Sequence, residues 1–126
     1  MADGVIVHQQ TKAGQTTGNL GVDISFPNTL PQGEEIACVE VTVVCGVPST
    51  HTQRGMYQRR AMFGRTGGAP VLYSTVQVIG TDYETTAGMN VDIKSDGSAG
   101  FDVTVTGVSA TTIGWAVAVR VTTYKP

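Results

Sequence analysis

An all-β sandwich is the fold this sequence predicts, and three observations predict it. Val and Thr occur 18 times each in 126 residues, Gly 16 times and Leu only three times. Val and Thr are stiff at χ1 and fit pleated strands, whereas helices favour Leu, Ala, Glu and Lys. Apolar residues alternate with polar ones over several runs, the period of a strand buried on one face. Gly, Pro, Asn and Asp break these runs at short intervals into about eight segments, the spacing of a sandwich or barrel. The length suits one domain spanning residues 1–126, and we expect a single antiparallel, jelly-roll-like β-sandwich.

The elements follow in order. Val5–His8 reads as a short strand. Gln9–Asn19 is polar, rich in Gly and Thr, and uncharged apart from Lys12. Residues 1–20 therefore read as an N-terminal arm or loop that could order against a partner. Strands are expected at Gly21–Phe26, Ile36–Val47 and Met56–Arg65. A turn at Gly67-Gly68-Ala69-Pro70 leads into a strand at Val71–Ile79. Met89, Val91 and Ile93 alternate with Asn90, Asp92 and Lys94. Asp96-Gly97-Ser98 then turns the chain into Phe101–Gly107, where Phe101, Val103 and Val105 share one face. The turn Gly107–Thr112 leads to Ile113–Thr123, with Trp115, Val117, Val119 and Val121 on the apolar face and Trp115 in the core. These last three strands are expected to form a meander.

Charge and hydropathy exclude several classes. Charged residues make up 14% and the formal net charge is −2, against a usual ~25% charged. A dedicated nucleic-acid binder would be basic, so no direct nucleic-acid contact is expected. No apolar run approaches the ~20 residues that span a bilayer. Met1–Gly4 shows no basic segment leading into an apolar one, so the chain reads as made in the cytoplasm, without a secretory signal. Cys38 and Cys45 lie on one strand-like run, seven residues or roughly 23 Å apart, too far for a disulfide. Both are read as free, small, buried residues.

Catalytic signatures are sparse. His8 and His51 have no His, Cys or carboxylate at metal-ligand spacing. Asp82 and Glu84 could form an acid–base or Ca²⁺ pair, but read better as solvated loop acids, as do Asp92 and Asp96. No nucleophile elbow, P-loop or Rossmann fingerprint occurs. We expect no enzyme, no metal and no cofactor.

Arginine is the uneven feature. Arg54, Arg59, Arg60 and Arg65 fall within twelve positions, around Tyr57, Met62 and Phe63. Arg, Tyr, Met and Phe are enriched at protein interfaces. Neighbours on a strand point to opposite faces, so one of Arg59 and Arg60 must be paired, at a strand end, or at an interface. The cluster reads either as a docking surface or as an amphipathic strand with solvated arginines. The docking residues expected are Val5, Ile6, His8 and Lys12 of the arm with Arg54, Arg59, Arg60 and Arg65. Tyr83 and Tyr124 are the candidates for a sugar-stacking platform.

The C-terminal half carries a resemblance. Gly88-Met89-Asn90-Val91-Asp92-Ile93 is followed by Phe101-Asp102-Val103-Thr104-Val105-Thr106-Gly107, and then by Thr112-Ile113-Gly114-Trp115 and its Val-rich strand. With Arg59-Arg60-Ala61-Met62-Phe63 upstream, this pattern over about residues 35–124 resembles a β-domain of tailed-bacteriophage virion proteins of the fibre and decoration type. The motif is one of strands and turns and transfers no site residues. The resemblance implies a jelly-roll-like sandwich, a homotrimer, and a virion role. In long fibres the domain ends a large chain, whereas here it fills nearly the whole sequence. The first expectation is a capsid decoration (cement) protein whose partner is the major capsid or another virion protein. The alternative is a tail, neck or fibre-tip module that adsorbs to host glycans.

Overall fold

The computed structural model describes residues 4–30, 35–65 and 68–125. Ten strands form among them, and no helix. They are β1 (Gly4–Thr17), β2 (Gly21–Phe26), β3 (Ile36–Gly46), β4 (Arg54–Gly64), β5 (Val71–Leu72), β6 (Gln77–Val78), β7 (Tyr83–Glu84), β8 (Asn90–Ser95), β9 (Phe101–Thr106) and β10 (Thr112–Lys125). The large sheet runs β1-β10-β3-β4, with β5, β6 and β7 each pairing a different part of β4. The small sheet runs β2-β9-β8, and all pairings in both sheets are antiparallel.

The fold is thus the expected β-sandwich. Its pairing is nested: β1 joins β10 and β2 joins β9. The chain winds as a doubled ribbon that crosses between sheets, which is its jelly-roll character.

Alternation builds the core. Ala37, Val39, Val41 and Val43 of β3 face inward, as do Tyr57, Ala61 and Phe63 of β4 and Trp115 to Val121 of β10 at odd positions. The small sheet answers with Ile24, Phe26, Val91, Ile93, Phe101, Val103 and Val105. Phe101 stacks on Phe26 with centroids 5.2 Å apart and meets Phe63 of the opposite sheet at 6.2 Å. Trp115 and Tyr57 pair at 6.2 Å, and the Trp115 indole N–H donates to Thr16 Oγ1 at 2.9 Å. Trp115 is therefore a core residue, as expected.

Three sequence readings are corrected. First, Gln9–Thr17 does not form a loop, because β1 continues through it and matches β10 from Gly4↔Lys125 to Thr17↔Thr112. Its polar residues show no alternation because both faces of this edge strand are largely exposed. The strand is held by the ladder to β10. Residues 1–3 of the expected arm lie outside the described residues. Second, the last three strands do not form a meander. β8 and β9 pair, but β10 crosses to the large sheet between β1 and β3. Third, Val71–Ile79 is not one strand: it touches β4 as two-residue bridges at β5 and β6. Its hairpin with β4 does form, Gly64↔Val71, although Gly67 of the expected turn lies outside the described residues.

The Asp96 turn forms as read. Its Oδ1 accepts the N–H groups of Ser98 (2.7 Å) and Gly100 (3.2 Å). At Gly100 a Cβ would lie 2.5 Å from the Phe26 carbonyl oxygen, so only glycine lets this turn close on the end of β2. The β9–β10 crossing contains Ala110 at φ 56°. A left-handed alanine costs roughly 1–2 kcal/mol, while glycine loses about 0.4–1 kcal/mol more entropy on folding. Ala110→Gly is accordingly expected to stabilise the protein by about 0.5 kcal/mol, read as a higher urea midpoint. A lower midpoint would contradict the strain.

Candidate functional site

Alternation places odd residues of β1 and even residues of β10, β3 and β4 on the outer face of the large sheet. Register sorts them into three bands. At one end Val5, Val7, Tyr124, Ile36 and Met62 are 42–71% exposed, around a depression of about 180 Å³. The middle band is polar: Gln9, Arg120, Glu40, Arg60 and Gln77 lie in line across five strands. Arg60 Nε and Nη2 donate to Gln77 Oε1 at 3.1 and 2.8 Å. A shallow concavity of about 470 Å³ lies on this band, lined in part by Gln9, Glu40, Thr42 and Arg120. The other end is apolar again. Ala13, Ala116, Val44, Met56 and Tyr83 floor a groove of about 680 Å³. The Arg54 guanidinium sits 5.9 Å from the Tyr83 ring centroid and donates to the His51 carbonyl at 2.9 Å. From Ala116 to Tyr124 along β10, the two apolar ends are roughly 26 Å apart.

The structure scatters the expected docking residues. Val5 joins the first apolar band. Ile6 and His8 point to the opposite face of β1, yet stay exposed because β2 is only six residues long and stops short of them. Gln10 Nε2 donates to His8 Nε2 at 2.7 Å. The Lys12 ammonium donates to the Ser25 carbonyl and lies 5.2 Å from the Phe26 ring centroid, so it ties β1 to β2. Arg54 and Arg60 occupy different bands. Arg65 is half-buried beyond β4, its amide donating to the Glu35 carbonyl at 3.1 Å.

Arg59 is not on the outer face at all. It is 4% exposed and points into the sandwich. Its guanidinium is bidentate to Asp82 (2.7 and 2.8 Å), Nε donates to the Val91 carbonyl of β8 at 2.9 Å, and Nη1 also donates to the Gln58 carbonyl at 3.1 Å. It also lies 5.5 Å from the Tyr57 ring centroid. The Tyr57 hydroxyl donates to Glu84 Oε2 at 2.8 Å, and burial, followed by that bond, holds the phenol well above its ordinary pKa. Asp82 and Glu84 are therefore not solvated loop acids. They fasten the 79–85 segment to inward side chains of β4, and Arg59 joins the two sheets.

The cysteines are free, as expected, but half-buried instead of buried. Cys38 faces outward beside Met62 and Cys45 inward beside Gly55. Burial raises both thiols, Cys45 to about 11. Neither is a ready thiolate.

Sequence reasoning missed most of the face: Val7, Gln9, Glu40, Val44, Met56 and Arg120. For Glu40, Val44, Met56 and Arg120 the signal is the phase of alternation on β3, β4 and β10, since each is the neighbour of a core residue, whereas Val7 and Gln9 lie on β1, where no alternation shows. Tyr83 and Tyr124 were singled out, and both are nearly half exposed, one in each apolar band.

No protein-family model matches the chain, and no curated protein matches it. Among solved structures the chain is similar to the tailspike protein of Acinetobacter phage vB_ApiP_P1, at 15% identity and a TM-score of 0.48, over 88% of this chain and 20% of that one. It is also similar to the tailspike protein of Acinetobacter baumannii phage AM24, at 11% identity and a TM-score of 0.47, over 95% of this chain and 26% of that one. The chain thus spans a fifth to about a quarter of the length of these tailspikes.

Proposed function

We propose that the chain is a bacteriophage virion structural protein, without enzymatic activity, that docks on other virion proteins through the outer face of its large sheet. The observation that carries this reading is the banded face itself: two exposed apolar ends flanking a polar row. Apolar anchors with interposed polar groups are the anatomy of a protein interface. The sequence resemblance over residues 35–124 supports a virion as the setting. The finer reading is head decoration. A protein that binds the assembled shell and not its loose subunits stabilises the shell by mass action.

A second reading, adsorption of host glycans at a tail or fibre tip, is favoured by the groove where Tyr83 stands beside Arg54 and His51. An exposed aromatic ring flanked by polar groups suits a sugar ring.

Gold-labelled antibody on intact particles separates the two. Label over the heads supports decoration, label on the tail supports adsorption, and particles without label overturn the virion reading. Val44→Lys with Met56→Lys is expected to lower particle occupancy at least tenfold, the loss of one interface anchor of about 1.4 kcal/mol or more. Both side chains are about half exposed, so thermal unfolding should be almost unchanged. Full occupancy by a folded variant would remove this face from the docking site.

A further inference from the structure

The two edges of the large sheet are finished differently. On the β4 edge the 71–85 segment covers the strand throughout. β5, β6 and β7 pair with it at three places. The amides of Tyr73, Ile79 and Thr85 donate to the carbonyls of Met62, Gln58 and Arg54. Ser74 Oγ accepts the Met62 amide and Thr85 Oγ1 the Arg54 amide, at 2.9 and 2.8 Å. This is an edge whose backbone groups are satisfied.

On the β1 edge nothing comparable occurs among the described residues. No strand, turn amide or turn carbonyl pairs with the far side of β1. Alternate residues of a fourteen-residue strand therefore offer their N–H and C=O groups to solvent. Proteins ordinarily blunt such an edge with proline, bulges or outward lysines. β1 has no proline, and its register with β10 is unbroken. Its one lysine, Lys12, is turned onto β2. Val5, Ile6 and Val7, on both faces, are 71%, 50% and 47% exposed.

We propose that β1 pairs antiparallel with β1 of a second copy of this chain, joining two large sheets across a twofold axis. A twofold perpendicular to the sheet keeps outer face with outer face, so odd residues of β1 meet odd residues and even meet even. The strand is compatible with itself. Lys12 is its one charge between Val5 and Thr17, and it opposes its own copy only if the axis falls on Lys12. Like charges are otherwise absent across the seam. A strip about 46 Å long and about 10 Å deep covers roughly 460 Å² on each chain, or about 900 Å² in all. That lies just under the ~1,200–2,000 Å² of standard interfaces, so a reversible dimer follows, with a dissociation constant on the order of 10 µM. This inference rests on the edge and not on the docking face, so it stands or falls apart from the virion reading.

Sedimentation velocity of the full chain, over a roughly hundredfold concentration range around ~10 µM, tests it. The expected outcome is a shift from 13.2 kDa to twice that mass. Ile6→Lys with Val7→Lys should hold the protein at the monomer mass throughout, since outward lysines block edge pairing and both side chains are exposed in the monomer. A wild type that stays monomeric, a mass of three chains, or a folded variant that still dimerises would each overturn the proposal. Should the variant fail to fold, hydrogen exchange on the wild type decides. Amides of residues 5–11 must slow as concentration rises while those of β8 do not, and equal behaviour refutes the edge.

Discussion

Phe101→Ala is expected to cost about 3–5 kcal/mol of folding stability, the range for a fully buried aromatic truncated to alanine. Phe101 is 0% exposed and begins β9, the central strand of the small sheet. Its ring lies between Phe26 of its own sheet and Phe63 of the opposite one. Removing it opens a void where the two sheets meet, and rigid strands on both sides limit how far the site can collapse. Domains of this size are stable by about 5–15 kcal/mol, so the loss could leave the protein barely folded at 37 °C. Urea unfolding followed by Trp115 fluorescence gives the number. A loss below about 1.5 kcal/mol would mean that the neighbours refill the space and that the ring does not join the sheets.

Asp82→Ala is expected to cost about 3 kcal/mol. The change strands the Arg59 guanidinium, 4% exposed, inside the sandwich without its bidentate partner. Breaking a buried pair costs about 3–5 kcal/mol because an uncompensated charge remains. Asp82 is itself 28% exposed, and water can partly reach the gap, which favours the lower end. The double variant Arg59→Met, Asp82→Ala separates charge from packing. Replacing a buried pair by apolar side chains of similar size is often close to neutral, so the double variant should recover most of the loss. A double variant no more stable than Asp82→Ala alone would show that the bonds from Arg59 to Val91 and Gln58 carry the stability instead.

Much of the fold was legible in local alternation. Val91 with Ile93, Phe101 with Val103 and Val105, and Trp115 with Val117 to Val121 each declare a buried face, and each is buried. Alternation says which face is covered but not by which strand. That is why β10 could be assigned to the wrong sheet: its apolar side looks the same whether it pairs with β9 or with β1 and β3. Gln9–Thr17 failed for a related reason. An edge strand with both faces wet carries no period for a reader to find, and its order comes from a partner distant in sequence.

Arg59 illustrates a half-legible site. That one of two adjacent strand arginines must be paired, at a strand end, or at an interface followed from the strand's two faces. That the partner is Asp82, 23 positions on in a connecting segment, depends on how the 71–85 segment folds back along β4. The bands of the outer face were hidden for a geometric reason. They run across strands, joining Gln9 to Arg120, Glu40, Arg60 and Gln77, and register has no trace in any one stretch of sequence.

The nesting of β1 against β10 has a consequence for synthesis. During translation β1 emerges first, and its partner follows roughly a hundred residues later, which at ~5–20 residues per second is a wait of several seconds or more. Both strands flanking β10 are then displayed on the ribosome without the strand that belongs between them. The large sheet can close only when β10 leaves the exit tunnel, so a message cut short upstream of β10 yields chains unable to complete it. Completion of the large sheet thus waits on β10, the last of the ten described strands.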